Sequence, residues 1–289
     1  MEDTPSPLRV SVLIVAVNCE QALRRCLTAL EASTARATIE IIVVDNGSGD
    51  GTGTVQQEFP SVTLLRLPRN FGFTRALNIA MRTAKAEAFL FLDPRVEVQP
   101  ETAGALADAL AANSEAVAVA PRLVGARHQF YKLPLRATLG AVAAQGAFDP
   151  APPDDAATGP VPVEFASFSA LMVRGYFLKG LRYIDERYAQ TWGDAELALQ
   201  IRRAGRKTLF IPEIEATWHD EPGPFDDAPS SVQTVLAADW ISGASTYAGK
   251  HFGMWPALSV KIGAAFRALA GFRLGLLTGV LSGRRIDGT

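Results

Sequence analysis

Cysteine is nearly absent from these 289 residues, with Cys19 and Cys26 the only two. A disulfide scaffold is therefore excluded. The pair also lacks the C-x-x-C spacing of a metal or redox site, which leaves free thiols in a reducing compartment. Charge is sparse as well, at 28 basic against 30 acidic residues. Gripping nucleic acid through its phosphates needs a strong basic excess, so no nucleic-acid polymer is expected as partner. No uninterrupted apolar run approaches the roughly 18 to 20 residues that span a bilayer. The opening Met1-Glu2-Asp3-Thr4-Pro5 is acidic where a secretion signal is basic, so a soluble or peripheral protein is expected.

What the chain does contain is 48% hydrophobic residues, enough for one large α/β domain or two small ones. Short runs rich in β-branched residues at 10–17, 39–44 and 62–67, and an aromatic and aliphatic run at 88–92, predict core strands. Between them, residues 21–32 place Ala22, Leu23, Cys26, Leu27 and Leu30 on one helical face, and residues 74–84 repeat the spacing with Leu77, Ala80, Met81 and Ala84. Such alternation predicts a mostly parallel sheet with helices on both faces, which binds ligands beyond the C-terminal ends of its strands.

The second half is more mixed. Residues 146–163 hold five prolines and read as a loop, 165–173 as a strand, 194–204 as a helix ended by Gly205, and 207–211 as another strand. A Pro- and acid-rich stretch at 220–230 predicts a flap. From Lys250 onward six bases, Arg284 and Arg285 among them, face one acid, Asp287. Leu258, Ile262, Phe266, Leu269, Leu276 and Val280 fall near one face of a helix there. A basic amphipathic helix either meets an anionic membrane surface or packs on its own domain, and both readings stay open. The expected division is 1–220 for the main domain and 221–289 for the flap and helical tail.

Four segments carry chemistry. Asp45-Asn46-Gly47-Ser48-Gly49-Asp50-Gly51 follows a strand directly, where an acid can accept hydrogen bonds from a base or ribose; Asn-Gly is equally a common turn dipeptide. Its glycines fit no register of the dinucleotide fingerprint, and no Lys completes a phosphate loop. The others are Phe91-Leu92-Asp93-Pro94-Arg95, the run from Tyr188 through Thr191-Trp192-Gly193-Asp194 to Leu197, and Trp218-His219. By position alone Asp194 reads as an acid in the first turn of a helix, with Thr191 at capping distance.

In this order and spacing, from about Arg9 to His219, the segments resemble an inverting family-2 glycosyltransferase of GT-A fold, in its rhamnosyltransferase-like branch. Ile41 to Gly51 resembles "VVDNGSxDG", Asn70-Phe71-Gly72-Phe73 with Ala76-Leu77-Asn78 resembles "N-x-G-F-x-x-A-x-N", and Ile184 to Tyr188 resembles "FDErf". The resemblance implies a GT-A-type, Rossmann-like α/β fold and a nucleotide-diphosphate sugar donor. It places Asn18, Asp45, Asn70, Asn78 and Asp93 at that donor and makes Asp194 the general base that deprotonates an acceptor hydroxyl. The acceptor expected is a glycan or lipid-linked glycan, at the inner face of the cell membrane. Arg75 is a further candidate for the diphosphate, or else part of a solvated helix face. Tyr188 and Trp192 are either an apolar wall for the acceptor sugar or core.

Three positions depart from the family pattern. Ala16 replaces an Asn, Gly193 replaces an acid before the base, and Arg95 replaces the Asp that holds a divalent cation (Mg or Mn). A guanidinium cannot ligate a metal, yet it binds a diphosphate bidentately and offsets charge on a leaving nucleotide. Arg95 is thus expected to stand in for the ion, with Asp93 and His219 as the residual metal set otherwise. The competing reading is a catalytically inactive, glycosyltransferase-like binding protein.

Overall fold

β1 (Val10–Ala16) is buried almost throughout, as a strand flanked by neighbours and covered on both faces must be. Helix α1 (Glu20–Glu31) buries the predicted stripe of Ala22, Leu23, Cys26, Leu27 and Leu30, the last four in one core cluster with β1. β2 (Ile39–Asp45), β3 (Thr63–Arg66), α2 (Phe73–Thr83) and β4 (Ala88–Leu92) complete a parallel half, every element within one residue of its predicted bounds. This computed structural model describes residues 8–154 and 157–283; the acidic N-terminal residues and Arg284, Arg285 and Asp287 lie outside the described residues.

The second half corrects the expectation of a mostly parallel sheet. After β5 (Val96–Val98) and α3 (Thr102–Ala112), strand β6 (Ala116–Val124) rejoins the sheet. The chain then passes through β7 (Phe130–Tyr131), α4 (Leu139–Gln145), β8 (Val161–Val163) and β9 (Phe165–Ala166), and enters β10 (Ala170–Arg174). No long crossover helix carries it back to the far end of the sheet, so β10 starts from the end where β6 stopped. It runs antiparallel to both β4 and β6. The predicted strand at 165–173 is thereby split in two.

Beyond β10 come α5 (Gly175–Gly180), α6 (Gly193–Arg203) and β11 (Lys207–Trp218), a strand longer than the predicted 207–211. It shifts register between Ile211 and Glu215, where Pro212 has no N–H to give the ladder, and then pairs antiparallel with β5. The order across the sheet is β3-β2-β1-β4-β10-β6-β11-β5, with β8 also on β11.

Three helices close the chain: α7 (Ser230–Phe252), α8 (Met254–Ala270) and α9 (Leu274–Ser282). The single tail helix expected from the apolar spacing is broken after Ala270, where Phe272 takes a φ of 54°. α8 packs through Val260, Ala264 and Ala268 and turns its large side chains outward. Of the predicted apolar face, Ile262, Phe266 and Leu269 are 57–71% exposed, whereas Leu276 and Val280 pack on the domain. Among the described residues no helix is long and apolar enough to cross a membrane.

α7 is tied to α6 through Glu196, which is 3% exposed. Its carboxylate accepts hydrogen bonds from Tyr188 Oη (2.8 Å), Gln200 Nε2 (2.7 Å), Lys250 Nζ (2.8 Å) and His251 Nε2 (2.6 Å). Burial alone raises a carboxyl pKa, but these donors outweigh it and bring Glu196 down to about 2. Glu196→Ala leaves Tyr188, Gln200 and His251 without this acceptor and Lys250 with Asp185 alone, and is expected to cost on the order of 3 kcal/mol, read as a lower Tm. In the native protein this contribution is complete above about pH 4.3 and is lost as the pH falls toward 2. Tyr188 is fully buried in the same cluster, so it is core and not an acceptor wall.

Candidate active site

Loops from the C-terminal ends of β1, β2 and β4 meet on one side of the sheet, where open α/β sheets bind ligands. Asn18, just past β1, adopts a φ of 46°, a left-handed conformation that Asn tolerates better than most residues. Its N–H donates to Ser48 Oγ (3.0 Å) and its Oδ1 accepts from the Gly49 N–H (2.8 Å). Asp50 accepts from the N–H groups of Glu20 (3.1 Å) and Thr52 (3.0 Å). The loop after β2 is thus laced to the start of α1. Gly47, at φ +80°, leaves no room for a Cβ beside the backbone of Arg69. Asn46 Nδ2 donates to Asn70 Oδ1 (2.9 Å) while its Oδ1 accepts from the Phe71 N–H (2.9 Å), which joins the two motif segments.

Between these loops lies a cavity of about 720 Å³ whose walls include Asn18, Asn46, Asp50, Asp93 and Arg95, with residues 221–226 on the far side. Arg95 grips Asp93 as a fork, Nε to Oδ1 at 2.9 Å and NH2 to Oδ2 at 3.0 Å. Its guanidinium also stacks over Trp218, 4.5 Å from the ring centroid. Burial works against the Arg95 charge, yet the bonds to Asp93 prevail and its pKa is raised.

A second cavity, about 260 Å³, adjoins the first across Phe73, Asp93, Pro94 and Gln190. Phe148, Phe168, Trp192 and Trp240 wall it, and Asp194 opens into it from the first turn of α6. Asp194 makes no capping box: Thr191 Oγ1 donates to Asp239 instead (3.2 Å), and Asp194 Oδ1 accepts from the adjacent Ala195 N–H (2.9 Å). No cation pairs with it among the described residues. Burial among aromatic walls pushes its pKa up to about 6, with the N–H groups of Ala195 and Asp194 itself opposing.

The family profile of glycosyl transferase family 2 matches residues 11–172, more than half of the chain. The chain belongs to this family. It is 28% identical over 258 residues to an N-acetylglucosaminyl-diphospho-decaprenol L-rhamnosyltransferase of Mycobacterium tuberculosis, covering 81% of this chain and 82% of the relative. Among solved structures, S. aureus TarS 1–349 in complex with UDP-GlcNAc superposes with a TM-score of 0.59 at 14% identity, over 96% of this chain and 90% of that one. The mannosyltransferase PcManGT from Pyrobaculum calidifontis, in complex with GDP-Man and Mn²⁺, gives 0.56 at 16% identity, over 96% and 86%. These likenesses establish the GT-A-type fold, and this family-2 glycosyltransferase is an enzyme that uses a nucleotide sugar.

Not every expected site residue of this glycosyltransferase reaches the cavities. Asp45 is buried at the end of β2, where Ser48 N–H (2.9 Å) and Arg66 Nε (3.4 Å) occupy its carboxylate; its neighbour Asn46 is the one that lines the larger cavity. Asn70 acts behind the wall, through Asn46 and the Gly72 N–H (2.8 Å). Asn78 is turned away altogether: its amide clips Ile184, donating to that carbonyl (2.8 Å) and accepting from that N–H (3.1 Å). Arg75 is exposed and sits over Phe71, 4.9 Å from the ring centroid. Trp192 is 1% exposed and does both things the sequence left open, packing in the core and walling the Asp194 cavity. Gly193 has a packing cause: a Cβ there would lie 3.1 Å from Thr74 Oγ1 and 3.3 Å from Ile184 Cγ2.

The expected metal set does not assemble in this glycosyltransferase. Both oxygens of Asp93 are engaged by Arg95, and His219 Nε2 is bonded to Glu97 (2.7 Å). Among the described residues no group of three His, Cys, Asp or Glu side chains is placed to hold an ion. Sequence reasoning missed Asn46, Asp50, Gln190, Phe148 and Trp240. The first two stand inside the motif already read, whereas Trp240 sits in a helix whose pattern gives no sign of a site.

Proposed function

We propose that this enzyme is an inverting transferase that moves a sugar from a nucleotide-diphosphate donor to a hydroxyl of a glycan or lipid-linked glycan. The observation that carries this reading is Asp194, an acid with a raised pKa and no cationic partner among the described residues, in a cavity that Asp93 also lines. The nucleotide and diphosphate occupy the larger cavity, with Asn18, Asn46, Asp50 and Asp93 beside the nucleoside and Arg95 at the phosphates. The acceptor hydroxyl enters the smaller cavity. Asp194 takes its proton as the oxygen bonds to the anomeric carbon, and the bond from that carbon to the diphosphate breaks. Arg95 offsets the charge that builds on the departing nucleotide. The residues present do not fit a cation, so no step passes through one.

The rhamnosyltransferase relative supports a deoxyhexose donor and a polyprenyl-diphosphate sugar as acceptor. Calorimetric titration of UDP and dTDP, once in EDTA and once with Mn²⁺, tests the donor side. Binding in EDTA that Mn²⁺ leaves unchanged is expected; binding only with Mn²⁺ would remove Arg95 from the role assigned to it.

On this reading residues 1–220 form the transferase unit, and 221–289 close its site and carry it to the inner face of the cell membrane. Trp255, Phe266 and Phe272, each 71–91% exposed beside Lys261, Arg267 and Arg273, are the contact. Replacing the three aromatics by Ser is expected to weaken co-sedimentation with phosphatidylglycerol vesicles by about tenfold or more, at roughly 0.8 kcal/mol per CH₂ removed from lipid. Unchanged co-sedimentation would detach the tail from the membrane.

A further inference from the structure

A groove of about 490 Å³ runs between α4, α7, α8 and α9. Leu236, Trp240, Ile241 and Leu276 make an apolar lining, and Arg267 and Arg273 stand with them. Neither guanidinium has an ion pair or hydrogen bond among the described residues. Two unpartnered cations at one groove repel each other unless an anion lies between them. Small residues of α4, Ala143 and Ala144, form the opposite side and leave width for a slender chain.

Two observations connect this groove to the chemistry. Thr191 and Trp240 line both the groove and the cavity that holds Asp194. The Trp240 Nε1–H is also buried with no acceptor among the described residues, at the wall the two spaces share. A buried donor without a partner is costly unless a ligand supplies the acceptor. Exposed Phe266 and Phe272 directly precede Arg267 and Arg273 in the chain, so the arginines sit beside the outward apolar side chains.

We infer that this groove holds the lipid-phosphate part of the acceptor: phosphate oxygens on Arg267 and Arg273, the first branched apolar units on Leu236 and Leu276, and the sugar passing Trp240 toward Asp194. The inference rests on the acceptor being lipid-linked. It adds which residues of this chain read the lipid phosphate, and it gives the C-terminal helices a part in substrate recognition besides surface attachment.

The test uses the full chain and farnesyl phosphate as probe, with inorganic phosphate and farnesol as its separate halves. Farnesyl phosphate is expected to bind more tightly than either half. Arg267→Gln with Arg273→Gln, both exposed positions, is expected to lower its affinity on the order of tenfold or more with Tm unchanged, since charge-assisted contacts are the strong ones. Leu276→Asn is expected to reduce farnesyl phosphate binding while leaving phosphatidylglycerol vesicle binding in place. Equal affinity in the arginine variant would overturn the assignment. So would displacement of the probe by UDP or dTDP, which would put it in the donor cavity, or a loss confined to vesicle binding, which would make the arginines a membrane patch alone. Slow hydrolysis of the nucleotide sugar by water reports on the transferase reading separately, so failure of either idea is visible without the other.

Discussion

Asp194→Asn is expected to lower turnover by about 10²–10⁴-fold, the range for loss of a general base, while nucleotide affinity stays unchanged. The amide keeps the size of the side chain and its bond to the Ala195 N–H but cannot take a proton. In the native enzyme kcat/KM should rise with pH through about 6, where Asp194 ionises, and then level off. The sign for stability is the reverse. A carboxyl whose folded pKa lies above its unfolded value favours the fold most below about pH 3.9 and progressively less as the pH climbs toward 6. The Asn variant therefore unfolds at an equal or higher temperature at pH 7, a gain in stability coupled to a loss of activity. Thermal melts and pH–rate profiles on the same preparation separate the roles. Full turnover in the variant would place the base elsewhere, and lost turnover with a lower Tm would make Asp194 structural.

The parallel half of the fold was legible because β1, β2 and β4 are almost wholly buried and read as continuous apolar runs, with one-sided helices between them. The direction of β10 was not legible, since an apolar strand has the same composition whichever way it runs; only the path from β6 fixes it. α7 escaped for a related reason. Its buried stripe includes Ala238, Ser242, Ala244, Ser245 and Ala248, which give little contrast with the exposed side. The place of Asp194 in the first turn of a helix was legible from local sequence, whereas the direction of the Asn78 side chain was not, because its amide answers to Ile184, 106 residues away. Side-chain type identifies what a residue can do, but a partner distant in sequence decides which way it faces.

Arg95→Ala is expected to weaken binding of the donor nucleotide in EDTA by roughly 10- to 100-fold, the loss of a charge-assisted, bidentate contact to diphosphate. The native guanidinium is held in one place, forked onto Asp93 and stacked on Trp218. Removing it does more than delete a donor, because Asp93 is then a bare carboxylate beside two phosphates. Repulsion adds to the loss, and it points to a specific rescue. With Arg95 gone, both Asp93 oxygens are released to ligate a cation, so Mn²⁺ should restore part of the affinity in Arg95→Ala and more of it in Arg95→Asp, which rebuilds the family's D-x-D. The native protein should show no such response. A native enzyme that needs Mn²⁺, or an Arg95→Ala variant that binds donor undiminished in EDTA, would remove the guanidinium from the diphosphate. A variant rescued by Mn²⁺ would instead show that one cation has taken over the electrostatic task of another, at the same carboxylate and for the same leaving group.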